Sequence, residues 1–338
     1  MFAIRLGTAV LAGSAMLAAC GAGSALAPSN AGLDSRYIGR TLSMNGRLVT
    51  VVHINMGPPL AYTMIVPGRS AKAKPHPLYP TREYIINDYG SYADIFNYPK
   101  SDEQIGTINN VGGQGCTNVL YGYGKKIIWI VAAYNQITEY KLPMKPIKTL
   151  SDSVGTPTSC AMNTSGDLAV GIYGAPGGGD VVIYKNASGS GTVYTTPLDH
   201  EFFDGYDNQG NLFADGDNSR GYFALVELPK GSAEFKTITT SNAVGFPGSV
   251  QWDGKYVVVT DQTANAMYQY AVTGTKATLK GTITLMGSGD CAQTWIGKGA
   301  VFCADNGGEV FQYPAGGSPI AVLTGNYDLP LGTVAANK

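Results

Sequence analysis

Six positions along this chain end one recurring strand: Tyr98, Tyr140, Tyr184, Leu228, Tyr270 and Tyr313, spaced 42, 44, 44, 42 and 43 residues apart. The segment before each has the same build. Val301 to Tyr313, VFCADNGGEVFQY, is an apolar strand ending in Asp305, a glycine turn and a second strand ending in tyrosine. Val257 to Tyr270 and Ile85 to Tyr98 repeat it. A fixed period of this size, filled with short strands, predicts a β-propeller with one blade per period.

Glycines punctuate the blades. Gly124, Gly166, Gly210, Gly254 and Gly299 stand between the first and second strands, where a tight hairpin needs a positive φ. Outer strands follow at 147–150, 235–238 and 320–323. The first blade lacks its inner strand, because a Pro-rich stretch precedes Ile85. Leu329-Pro330-Leu331-Gly332-Thr333-Val334 repeats the Pro-x-small pattern of Thr156-Pro157-Thr158-Ser159-Cys160 and Phe246-Pro247-Gly248-Ser249-Val250. The C-terminal strand is therefore expected to complete the first blade and close a six-bladed ring over 82–338, which removes open sheet edges. No apolar period of 3.6 residues is sustained over helix length in that span.

Residues 1–19 read as a targeting segment, with Arg5 ahead of an apolar run too short to span a bilayer. Leu17-Ala18-Ala19-Cys20 resembles the lipobox of bacterial lipoproteins, which implies lipidation of Cys20, a membrane anchor and a place in the bacterial cell envelope, at the outer membrane or cell surface. Cleavage after Ala25-Leu26-Ala27 is the alternative, but it would leave Pro28 first. Residues 20–36 are small and polar and read as a flexible tether. In 37–81, strand-like runs at 48–54 and 61–66 form an arm, packed on the propeller or loosely held, and a Pro-rich linker follows.

The formal net charge is −1, so no global field favours a nucleic-acid partner. Four cysteines besides Cys20 would lie in a compartment that permits disulfides. Cys116 and Cys160 each stand 24 residues before their tyrosine, in one register of neighbouring blades. They are candidates for an inter-blade bridge. Cys291 and Cys303 are candidates for a bridge across the Gly297–Gly299 hairpin. Four reduced buried thiols remain the alternative to both.

Asp88, Asp215, Asp261 and Asp305 end the second strand of four blades. As carboxylates around a channel mouth they would hold a cation or act as acid and base. As strand-end groups they would accept N–H bonds from the next turn, which their repetition favours. The densest acidic stretch holds Asp199, Glu201, Asp204, Asp207, Asp215 and Asp217 around His200, the only histidine within the blades. His200 and Asp204 form a candidate acid/base pair. Asp215 to Ser219 begins like a calcium loop, but Val226 stands where the bidentate glutamate belongs. A solvated loop accounts for both features. No metal and no cofactor are expected. Gly174 to Gly179 leads into a strand and reads as a turn, not a phosphate cradle. Tyr89, Tyr92, Tyr121, Tyr123, Tyr134, Tyr173, Tyr206 and Trp252 fall at strand ends or turns. Among them Tyr121, Tyr206 and Trp252 are the candidate ligand-binding rings.

The repeat, apolar-apolar-x-Asp, turn, apolar-x-x-Tyr, resembles the NHL and YVTN-type propellers of bacterial envelope proteins over roughly 82–336. Gly205 to Gly216, Glu227 to Ser232 and Val250 to Gln262 also resemble secreted bacterial propellers of unassigned activity. Gluconolactonase-type propellers share the architecture, but their Glu-Gly-Pro opening and Asn-Gly element are absent, so no metal ligands carry over. Propellers host enzymes and binding modules alike. The expectation is an envelope-anchored, non-catalytic binding or scaffold module for a protein, peptide or glycan. The alternative is a lactonase- or hydrolase-like enzyme working in the channel.

Overall fold

A computed structural model describes the backbone at 37–44, 47–55, 61–66 and 82–87. It describes the protein more fully at 92–132, 136–142, 145–151, 154–175, 178–305, 308–323, 325, 327 and 330–337. Cys20, Asp88, Tyr89 and Tyr134 lie outside the described residues. The chain divides into two compact units, Met1–Thr63 and Met64–Lys338.

Strands β1 (Tyr37–Met44), β2 (Arg47–Asn55) and β3 (Ala61–Val66) form one sheet in that order, β1 antiparallel to β2. β2 and β3 match the two expected runs. β1 was not expected, since YIGRTLSM carries glycine and arginine and has no clean two-residue alternation.

The second unit is built almost wholly of β-strands. Among its described residues the one helical element is a 3-10 turn, Lys185–Ala187. No described helix is long and apolar enough to cross a membrane. β4 (Arg82–Asn87), β5 (Tyr92–Phe96) and β6 (Gln104–Asn109) pair in sequence. β7 (Gln114–Thr117), β8 (Gly124–Lys125), β9 (Ile127–Ala132), β10 (Gln136–Lys141) and β11 (Lys145–Ser151) follow, with β7, β9, β10 and β11 in one meander. The next meander is β12 (Thr156–Met162), β13 (Leu168–Ala175), β14 (Gly178–Tyr184) and β15 (Thr192–Thr195).

β16 (His200–Tyr206), β17 (Leu212–Asp217), β18 (Phe223–Leu228) and β19 (Lys236–Thr240) make a third meander. β20 (Pro247–Trp252), β21 (Val257–Asp261), β22 (Ala266–Thr273) and β23 (Lys276–Thr284) make a fourth. A short parallel contact, Thr239 opposite Lys276 and Thr240 opposite Ala277, joins these two into an eight-stranded sheet. β24 (Thr294–Ile296), β25 (Ala300–Cys303), β26 (Glu309–Gln312) and β27 (Gly316–Val322) form the next. Last, β28 (Pro330–Asn337) returns to pair antiparallel with β4, Thr333 opposite Ile85, and so completes the earliest meander. The first strands touch in a closed cycle: β7 to β12, β16, β20, β24, β28 and back to β7.

Tyrosine spacing translates into register. Tyr184 faces Leu168, Leu228 faces Leu212 and Tyr270 faces Val257, each partner opening its second strand. Tyr98, Tyr184 and Tyr270 are among the largest fully buried side chains. Two repeat tyrosines donate to side-chain acceptors: Tyr270 to Asn242 Oδ1 (2.8 Å) and Tyr313 to Asp253 Oδ2 (2.6 Å). Gly166, Gly210, Gly254 and Gly299 have φ of 90°, 89°, 100° and 77°, as the hairpins require. Gly124 departs from the expected tight turn. Between β7 and β9 the chain makes an excursion, and Gly124 begins β8, which pairs in parallel with Ala336 and Asn337.

Both disulfides are formed. Cys116–Cys160 ties β7 to β12 and Cys291–Cys303 reaches β25 from just before β24, with Cα separations of 5.7 and 5.3 Å.

Candidate functional site

Each Pro-x-small segment becomes a bulge in a first strand, after Pro157 in β12, Pro247 in β20 and Pro330 in β28; β16 bulges after Glu201 without the proline. A bulge inserts one residue and re-aims its neighbours. In β12 and β16 the result is a polar cell. Ser159 Oγ lies 2.9 Å from Glu201 Oε1 and 2.8 Å from Asp204 Oδ2, while Thr158 Oγ1 donates to Glu201 Oε2 at 3.1 Å. Glycines make the space. A Cβ on Gly171 would fall on Glu201 Oε2 and Ser159 Oγ, and one on Gly179 would lie 2.6 Å from the Glu201 nitrogen.

Asp215 of β17 pairs with Phe203 and so points to the face of the β16–β17 ladder opposite Asp204, which pairs with Ala214. Glu201 and Asp215 are 0% exposed and Asp204 6%. Burial, and then the charge of Asp204, pushes the carboxyls of Glu201 and Asp215 well up from their ordinary values. Burial raises Asp204 to about 7, against its bond to Ser159 and one to the Gly171 backbone. Asp204 Oδ1 and both oxygens of Asp215 have no hydrogen-bond partner.

The stretch expected to be a solvated loop is therefore wrong in kind. Glu201, Asp204, Asp207, Asp215 and Asp217 are all buried, because they sit on or beside the strands β16 and β17, and only Asp199 is exposed. Asp215 to Ser219 is a strand end and turn, not a calcium loop. The candidate pair of His200 with Asp204 is likewise replaced. His200 Nδ1 lies 2.9 Å from Asp217 Oδ1 and 3.5 Å from Asp199 Oδ2, whereas Asp204 turns to Ser159. Asp261 and Asp305 accept turn N–H groups, from Gly245 and Gly289, both at 2.8 Å. Asp215 breaks that structural pattern.

Above the cell runs an aromatic row. The Tyr173 and His200 rings stack at 4.7 Å and 20°, Tyr173 and Phe202 at 6.1 Å, and Phe246 meets Phe202 at 5.9 Å. Tyr173 and His200 are half-buried, and Asp199 and Asp217 flank them. His200, Asp199 and Asp217 offer ligand atoms within 4.8 Å of one another, though Nδ1 is already engaged by Asp217. Cys291, Cys303 and Asp305 also converge, but their sulfurs are bonded to each other.

The space within the cycle of first strands is small. A cavity of about 30 Å³ is bordered by Gln114, Asp204, Tyr206, Gln251 and Gln293, among others. Glutamines lace it together. Gln114 donates to the Phe202 carbonyl (3.1 Å), and Gln251 to that of Leu120 (3.1 Å). Gln293 donates to Gly115 O and accepts from Gly115 N and Thr333 N. One end is covered by the β7–β9 excursion, where Gly122 N donates to Ile296 O and Trp295 Nε1 to Gly122 O.

The three rings singled out from sequence fall elsewhere. Tyr206 is 5% exposed and lines this cavity, so its ring is not open to a surface ligand. Tyr121 is 40% exposed beside Gly254, and Trp252 is half-buried at the end of β20. Tyr173 had been among the wider set of strand-end tyrosines, but Phe202, Phe246, Thr158 and Ser159 had not been singled out. The signal for Thr158 and Ser159 was present in the Pro157 pattern.

Fold and site together define an all-β protein of repeated four-stranded meanders around a narrow polar centre. No protein-family model and no curated protein matches the chain. Among solved structures, it is similar to a chain in the crystal structure of a nidogen/laminin complex, with a TM-score of 0.59 and 10% identity over 76% of this chain and 98% of that one. It is also similar to a functionally unknown protein from Desulfotomaculum acetoxidans DSM 771, with a TM-score of 0.51 and 9% identity over 77% and 99%. At such identities the likeness is one of fold.

Proposed function

We propose that the second unit is a six-bladed β-propeller closed by β28, held at a bacterial cell envelope through lipid on Cys20 and acting as a non-catalytic module that binds a glycan or peptide. The closed cycle of first strands and the return of β28 to β4 support the ring. An NHL/YVTN-like repeat fits the same architecture.

The observation that carries the binding reading is the contrast between rim and centre. The cavity of about 30 Å³ has room for a water or two and none for an organic substrate. Tyr173, His200 and Phe246, with the buried Phe202 packed behind them, offer ring surface beside two carboxylates, which suits the apolar face and hydroxyls of a sugar or a peptide side chain. A hydrolase working in the channel loses the acid/base pair it would have used. The similar chain from the nidogen/laminin complex comes from a protein–protein assembly, a setting consistent with recognition.

The test is a glycan and peptide array probed with the full chain, repeated with Tyr173→Ala and Phe246→Ala. Binding that falls about tenfold or more in both variants, with folding intact, supports the rim. Unchanged binding in both, or turnover of ester or lactone substrates abolished by Asp204→Asn, overturns it.

A further inference from the structure

We propose that one end of the second unit is a docking face for an anionic lipid surface, built from exposed lysines that every meander contributes. The formal net charge of −1 conceals a sorting of charge along the strands. Neighbouring first strands lie parallel and in step. Ser159 bonds to Asp204, Ser249 to Thr294, and the Ile296 nitrogen donates to Gln251 Oε1, each pair 45 residues apart. A Cβ on Gly205 would meet the Val250 oxygen at the same offset, and the end of β28 runs parallel to β8. Because strands alternate within a meander, the connections after first strands and those after third strands all open at one end.

Those connections are rich in lysine. After first strands come Lys125, Lys126, Lys255 and Lys298, and at the passage from third to fourth strands Lys100, Lys141, Lys145, Lys185, Lys230 and Lys276. All ten are exposed, and none forms an ion pair with a described residue. The carboxylates in the same connections do not cancel them. Asp207 and Asp253 accept backbone N–H groups of their own turns and Asp167 accepts that of Asn186, which leaves the half-buried Asp102 and the exposed Glu103 and Glu234. Even with all six counted, positive charge is in excess. The opposite end is the reverse. Asp199, Asp217, Asp261, Asp290 and Asp305 stand where strands enter or leave it, and Arg220 is the one cation among the described residues there.

The placement of the lysines selects the occupant. Spread over the connections of a closed cycle of first strands, they make a broad field rather than a stripe or groove, which fits a plane of phosphate headgroups and not the rod of a duplex. All ten cations are lysine, a compact point charge suited to a diffuse anionic surface, whereas bidentate grip on single phosphates calls for arginine. The Tyr121 ring, 40% exposed in the connection after β7, adds an amphipathic group of the kind that settles at headgroup depth. This attraction needs no acyl chain, so it is independent of lipid on Cys20. The aromatic rim stands at the acidic end, and a unit held by its lysines presents Tyr173 and His200 away from the bilayer. Only that last point rests on the binding role proposed for the rim.

The experiment uses the mature chain from residue 20, with Cys20→Ala so that no acyl chain contributes, sedimented with vesicles of phosphatidylcholine alone or mixed with phosphatidylglycerol. Binding should appear only with the mixed vesicles at low salt, and should fall about tenfold or more in about 1 M salt, where the Debye length is about 3 Å. The quadruple variant Lys100→Gln/Lys125→Gln/Lys230→Gln/Lys276→Gln should bind them about tenfold or more weakly, whereas Arg220→Gln at the acidic end binds as the parent does. Circular dichroism checks that the quadruple variant is folded. Parent binding that is absent, or that ignores phosphatidylglycerol or salt, overturns the proposal whatever becomes of the variant, and so does unchanged binding by the folded variant. Tighter binding to a random DNA duplex than to the mixed vesicles would assign the face to nucleic acid and overturn the proposal equally.

Discussion

Removing Cys116–Cys160 should cost more stability than removing Cys291–Cys303, although both bonds are buried. The first closes a loop of 44 residues and the second one of 12. On the chain-entropy relation these separations correspond to about 4 and about 3 kcal/mol of lost constraint on the unfolded chain. The native state pulls in the same direction. β7 and β12 belong to different sheets and share no ladder, so the sulfur bridge is their covalent tie. Cys291 and Cys303 flank a hairpin already held by β24–β25 pairing. The perturbation is a double alanine substitution at each pair, which leaves no buried hydroxyl behind. Urea unfolding followed by tryptophan fluorescence gives each free energy against the oxidised parent. A 291/303 variant that loses as much as the 116/160 variant, or more, would refute the reasoning.

Three further outcomes are expected. Gly216→Ala should destabilise by about 3 kcal/mol or prevent folding, since a Cβ there would fall on the backbone oxygen of His200, which has no freedom to move; soluble yield and thermal midpoint check this. Gln293→Ala strips partners from buried Gly115 and Thr333 and should cost about 2–4 kcal/mol by urea unfolding. Burial, and then the charge of Asp305, raises Asp290 from an ordinary value of 3.8 to about 6, so the folded state holds its proton more tightly than the unfolded one. Its contribution is complete below about pH 4 and is lost as pH rises towards 6, at about 1.4 kcal/mol per unit. Asp290→Asn should flatten that slope in urea midpoints measured from pH 4 to 7.

The repeat was legible because one physical constraint recurs. A large apolar side chain opposite the start of a second strand fills the same space, so Tyr184, Leu228 and Tyr270 report a common register. The partnership of β28 with β4 was legible for a related reason, since Pro330 and Pro157 precede the same kind of bulge. The polar cell was not. In sequence Glu201, Asp204 and Asp215 look like a solvated acidic stretch, because charge alone argues for exposure. What buries Glu201 and Asp204 is tertiary: packing of β16 against β12 and β13, and glycines 171 and 179 that make room for Glu201. The Pro157 pattern marked the position of Ser159 but not its role, as a small residue in an inner strand serves packing equally well. The excursion after β7 was also hidden. Its hydrogen bonds run to Ile296, Trp295 and Gln251, partners far along the chain that no local pattern names.

The pairing of β28 with β4 has a consequence for how the molecule is made. β4 is among the earliest strands of its unit to leave the ribosome, yet its partner is the last. Until β28 has been synthesised, the hydrogen-bonding edge of β4 has no native mate, and vectorial folding can assemble the intervening meanders but not finish the unit. A nascent chain in that state holds its meanders without the strand that joins the two ends of the unit. Removing Pro330–Asn337 should trap the protein in that unfinished form.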